Sequence, residues 1–112
     1  METKRQHKVA RLLQKELADI LLTEGRNFSA SGLITVTSAE VSKDFSFARI
    51  YLSIFGVADK QPVLGELNTH KKDLRFKLGQ RIKNQLRIVP EIHFALDETL
   101  DYIENIDNLL KQ

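Results

Sequence analysis

Apolar residues recur along the first two dozen positions at helical spacing. Val9, Leu12, Leu13, Leu17, Ile20 and Leu21 form one stripe, so residues from about Thr3 to Glu24 are predicted to be an amphipathic helix, stopped by Gly25. Arg26–Gly32 (RNFSASG) reads as a loop from its Asn, Ser and Gly content. From Leu33 to Ser42 the period changes to two. Ile34 and Val36 share a face, but Val41 lies out of phase with them, which calls for a bulge near Ser38–Ala39. Lys43–Asp44–Phe45 makes a turn. Ser46–Phe55 is a second strand, with Ala48, Ile50, Leu52 and Ile54 inward and Arg49, Tyr51 and Ser53 outward.

Residues 56–62 connect to a second helical region, Val63–Leu86, whose stripe is Leu64, Leu67, Leu74, Leu78, Ile82 and Leu86. Pro62 suits a helix entry, where its missing N–H is not needed. The polar stretch from Asn68 to Asp73 breaks the stripe and predicts two helices, the second capped by Asn68 or Thr69. Gly79 weakens that second helix by about 1 kcal/mol relative to alanine. Beyond Pro90, Glu91–Leu96 alternates as a third strand, with Ile92, Phe94 and Leu96 on one face and His93 outward. Thr99–Leu110 returns to a helical stripe through Leu100, Ile103, Ile106 and Leu110. The order α-β-β-α-α-β plus a C-terminal α predicts an α+β fold, a three-stranded sheet with helices packed on one face. All 112 residues are expected to form one domain.

Charge alters this picture more than composition does. Apolar content is 42%, charged content 29%, and the net charge only +2. Yet His70–Arg87 carries seven Lys/Arg against one acid, and Ile88–Gln112 carries six acids against one Lys. A segregated positive field is what a polyanion can use, since local potential rather than net charge gathers phosphates. A helix needing only solubility would mix signs and gain from i,i+4 pairs. The competing reading is the wet face of a helix, with basic stems laid over apolar surface. Phe76 is placed either to stack a base or to pack against the N- or C-terminal helix.

Catalytic chemistry finds little support. His7, His70 and His93 are far apart and show no ligand spacing. There is no Walker loop, no GxGxxG and no nucleophile paired with an activator. Cysteine is absent, which excludes disulfides and thiolate metal sites and leans toward a reducing compartment. The apolar runs are a few residues long, so neither a membrane span nor a signal peptide is expected.

Several stretches are more specific. Val41-Ser42-Lys43-Asp44-Phe45-Ser46 followed by Ala48, Ile50-Tyr51-Leu52 and Ser53 resembles the hairpin pattern V-S-[RK]-D-L-S-x-A-x-[VI]-Y-[VL]-S of the ribosome-binding factor A family. Leu74-Arg75 with Leu78-Gly79 is similar to that family's [IL]-R-x-x-L-G. Arg87-x-Val89-Pro90-Glu91-Ile92-x-Phe94-x-x-Asp97-x-Thr99 is similar to R-x-[VI]-P-E-L-x-F-x-x-D-x-S, and Lys8-Val9-Ala10 and Ile106-x-x-Leu109-Leu110 fall where R-V-A and I-x-x-L-L do.

The resemblance implies a KH-like domain of type II arrangement without the KH GXXG loop. It implies a non-enzymatic factor that binds the small ribosomal subunit and its 16S rRNA during late maturation, with a role in cold adaptation. The resemblance also implies no cofactor; a cytoplasmic protein that takes no small-molecule substrate and is a monomer when free is the expectation beside it. The chain departs from the family where a small-x-Gly kink should precede Leu74-Arg75, since it reads His70-Lys71-Lys72-Asp73.

Lacking a backbone clamp, such a protein must rely on cationic side chains. The expected RNA contacts are Lys71, Lys72, Arg75, Lys77, Arg81, Lys83 and Arg87, with Lys43 secondary and Arg5, Lys8 and Arg11 widening the patch. The alternative function is a protein–protein module using the acidic C-terminal helix.

Overall fold

The structure is a computed structural model that describes residues 3–24, 33–57 and 59–97. The predicted stop at Gly25, the loop 26–32 and the helix 99–110 lie outside the described residues. Helix α1 runs Lys4–Glu24. A capping box starts it. Thr3 Oγ1 accepts from Gln6 N at 3.1 Å, and Gln6 Oε1 accepts from Thr3 N at 2.9 Å. Gln6 is itself buried and donates from Nε2 to Val41 O at 2.9 Å, tying the helix start to the end of the first strand.

Strands β1 (Leu33–Val41) and β2 (Phe47–Phe55) pair antiparallel, and β3 (Glu91–Leu96) pairs parallel to β2 on its other side. Ala48, Ile50, Leu52 and Ile54 are fully buried, as the alternation predicts. The bulge is present but falls one residue earlier than expected, between Val36 and Ser38. Thr37 holds it there. Its carbonyl accepts from Gln14 Nε2 of α1 at 3.1 Å, and its hydroxyl lies 3.2 Å from Tyr51 O and 2.7 Å from Asp97 Oδ2. Ser53 differs from expectation. It faces away from the helices yet is buried, and its hydroxyl has no hydrogen-bond partner among the described residues.

The second helical region divides as predicted into α2 (Gln61–Thr69) and α3 (Lys71–Ile82). The junction is His70, at φ −97° and ψ 10°, so the bend forms with neither glycine nor a small residue. Neither Asn68 nor Thr69 caps α3. Thr69 Oγ1 donates back to Gly65 O at 2.8 Å, and Asn68 is drawn to β3, where its amide donates to Phe94 O at 3.1 Å and accepts from Phe94 N at 2.9 Å. Helix α3 ends four residues before the expected Leu86. Gln85 N and Leu86 N both donate to Ile82 O, so a turn carries the apolar stripe onward after the helix has stopped.

Among the described residues the core lies between the sheet and helices α1, α2 and α3. Val9, Leu13, Leu17 and Ile20 of α1, Val63 and Leu67 of α2, and Leu74, Leu78 and Ile82 of α3 pack over Ile50, Leu52, Ile92 and Phe94. Gly79 sits where a Cβ would meet Val89 Cγ2 at 3.4 Å, so the connector after α3 rests closely on the helix.

Candidate nucleic-acid interface

Burying Leu74, Leu78 and Ile82 fixes the rotation of α3 and sorts its cations onto two flanks. The flank beside α1 is neutralised. Lys77 Nζ lies 3.0 Å from Glu24 Oε1 and 3.2 Å from Asp73 Oδ2. Arg81 pairs with Asp19 and, at 3.4 Å, with Glu16. Hydrogen bonds to Glu24 and then Asp73 raise the Lys77 pKa, and the Asp19 hydrogen bond raises that of Arg81. These two cations are committed to holding α1 against α3.

The other flank faces β3 and forms one wall of a concavity of ≈ 750 Å³. Lys71, Lys72, Arg75, Phe76 and Lys83 line it from the helix side, with Ser46, Val89, Glu91 and Ile92 opposite. Lys71, Lys72 and Lys83 have no carboxylate within ion-pair distance among the described residues. The acid at the rim is Glu91. Arg75 is already engaged, its Nε donating to Pro90 O at 3.0 Å and its Nη2 to Val89 O at 2.6 Å. It therefore clips the connector to α3 while its guanidinium stays at the surface. Phe76, 65% exposed, stands among the lysines rather than packing on α1. This arrangement offers ammonium groups without ion pairs among the described residues around one aromatic side chain, suited to phosphate and to an unpaired base.

The remaining expected contacts are elsewhere. Arg87 opens onto a separate cleft beyond the connector. Lys43 is exposed in the hairpin turn, and Lys8 and Arg11 are exposed on α1, outside the residues that line the concavity. Arg5 lies over the Phe45 ring, 5.2 Å from its centroid. His93 is half-buried, in register with Arg49, and no cluster able to hold a metal occurs among the described residues.

Asp44 organises the turn that brings Ser46 to the concavity. Its Oδ1 accepts from Ser42 Oγ at 2.8 Å, Ser46 N at 3.1 Å and Ser46 Oγ at 2.7 Å, while Ser42 Oγ accepts from Phe47 N. These donors allow Phe45 to sit at φ 61°, uncommon for a residue with a side chain. Led by the Ser46 and Ser42 hydroxyls, they lower the Asp44 pKa from 3.8 to about 2. A depressed carboxylate pKa stabilises the fold above the ordinary value, and that contribution is lost as pH falls through the folded value. The gap in urea midpoint between the wild type and Asp44→Asn is therefore expected to be full at pH 6. It should shrink between pH 4 and pH 2; a gap that does not change over that interval would contradict the turn's assigned role.

A three-stranded sheet of this order, with a helix–bend–helix between β2 and a parallel β3, defines a KH-like α+β domain of type II arrangement. The sequence profile of the family described as Ribosome-binding factor A matches residues 5–110, and the chain belongs to that family. It is 46% identical to the ribosome-binding factor A of Cytophaga hutchinsonii over its whole length and 84% of that protein's. It is 42% identical to that of Flavobacterium johnsoniae, over 98% of this chain and 85% of the other. The crystal structure of ribosome-binding factor A from Thermus thermophilus superposes with a TM-score of 0.69 at 22% identity, covering 81% of this chain and 94% of that one. A Thermus thermophilus homology model fitted into a cryo-EM map of a 30S–RbfA complex superposes with a TM-score of 0.59 at 24% identity, covering 78% and 93%. At these identities the two structural likenesses speak for the fold.

Proposed function

We propose that this protein is a ribosome assembly factor that binds the small ribosomal subunit through its 16S rRNA, using the concave flank of α3. Family membership supports the subunit as partner, as does the relative fitted in a 30S complex. The observation that carries the RNA contact is the division of cations on α3. Lys71, Lys72 and Lys83 make no ion pair among the described residues, whereas the acids of α1 are spent on Lys77 and Arg81. With no GXXG loop, the protein reads backbone charge and shape, and Phe76 adds one stacking surface. In this reading it acts without catalysis or cofactor, on late-maturing particles in the cytoplasm, supports assembly in the cold, and is a monomer when not bound to a particle.

Three phosphate contacts give a log K against log salt slope of about −2 to −3, from roughly 0.7–0.9 counterions released per contact. Titrating labelled protein against purified small subunits at several salt concentrations measures it. A slope near zero would remove the cationic flank from the interface.

A further inference from the structure

Across the connector from the lysine flank lies a second cleft of ≈ 190 Å³, lined by α1, the hairpin turn and residues 86–90. Val9, Phe45, Leu86 and Pro90 supply its apolar lining, and Ile88 stands at its lip, 66% exposed. Arg5 and Arg87 bring two guanidinium groups and Asp44 one carboxylate, already occupied by three donors. The cleft is smaller than the roughly 300–1,000 Å³ typical of small-molecule sites, and is of a size to take a single side chain. The Arg5 guanidinium lies over one face of the Phe45 ring, the one aromatic in the lining. Two of the motifs that carry the family resemblance meet here, Asp44-Phe45 from one and Arg87 with Pro90 from the other, away from the lysines assigned to RNA.

We propose that this cleft docks an acidic protein segment, which inserts one bulky aliphatic side chain between Phe45, Leu86 and Ile88 and sets a carboxylate against Arg5 and Arg87. Ile88 is exposed beside an arginine with no ion pair among the described residues, so an apolar group and a cation stand together for a partner of the opposite charge. The site is separate from the RNA flank, so one face of the protein can hold rRNA while the other holds a protein tail.

Fluorescence anisotropy with the full chain tests this. The probe is a labelled acetylated pentapeptide with central leucine and an aspartate on each side. Saturable binding is expected, with affinity about tenfold lower for the serine-centred peptide and for the lysine-flanked one. Ile88→Asp and Arg87→Glu, both at exposed positions, are each expected to weaken it about tenfold, whereas Lys72→Ala with Lys83→Ala leaves it unchanged. Absence of saturable binding up to about 1 mM, or indifference to both cleft variants, overturns the proposal. So does displacement of the peptide by a single-stranded oligoribonucleotide whose own affinity falls in the same variants, since that assigns the cleft to nucleic acid.

Discussion

Asn68→Ala is expected to lower the free energy of unfolding by about 2–4 kcal/mol, although Asn68 belongs to neither the apolar core nor the cationic flank. Its amide makes paired hydrogen bonds to Phe94 N and Phe94 O, standing in for a neighbouring strand. Removing it costs two hydrogen bonds of about 1 kcal/mol net each, and strands a partly buried N–H and C=O. Asn68→Asp keeps the acceptor but turns a carboxylate oxygen toward the Phe94 carbonyl, so it does not rescue. Urea unfolding monitored by far-ultraviolet circular dichroism gives both values. A loss under about 1 kcal/mol would mean that water serves this edge as well as the amide does.

The triple variant Lys71→Ala, Lys72→Ala, Lys83→Ala carries the largest expected effect on binding. At about 0.1 M salt each phosphate contact contributes a factor on the order of five, so loss of three weakens association with small subunits about hundredfold. The ammonium groups make no ion pair among the described residues, and stability is expected to change by less than about 0.5 kcal/mol. Lys77→Ala with Arg81→Ala is the matched control, removing as much charge per residue from the neutralised flank. It should alter binding by less than about threefold. Co-sedimentation of both variants with small subunits at graded salt separates the outcomes, and equal retention of the triple variant and wild type would end the assignment.

Much of the architecture was legible because it depends on period and parity. The β3 boundaries follow from alternation after Pro90, and the break near His70 from a gap in the leucine stripe. What escaped was set by partners distant in sequence. Parity requires an odd residue somewhere between Val36 and Val41, but only Gln14, Tyr51 and Asp97 decide that it is Thr37. Asn68 has the chemistry of a cap, and β3 claims it instead. The Thr3–Gln6 capping box could have been read from its T-x-x-Q spacing. In the candidate site, the seven cations between Lys71 and Arg87 looked alike in one dimension. Their division follows from where α1 lays Glu16, Asp19 and Glu24, and from the main-chain carbonyls that engage Arg75.

The extra residue in β1 works as a phase shift within a chain otherwise read two positions at a time. Upstream of Thr37 the even-numbered positions Ile34 and Val36 turn toward the helices, and downstream the odd-numbered Ala39 and Val41 do. Shortening the strand by this one position would make its two halves compete for a common frame, so that one of them must present oil to water. The position is thus held by its count along the strand as well as by the threonine that fills it.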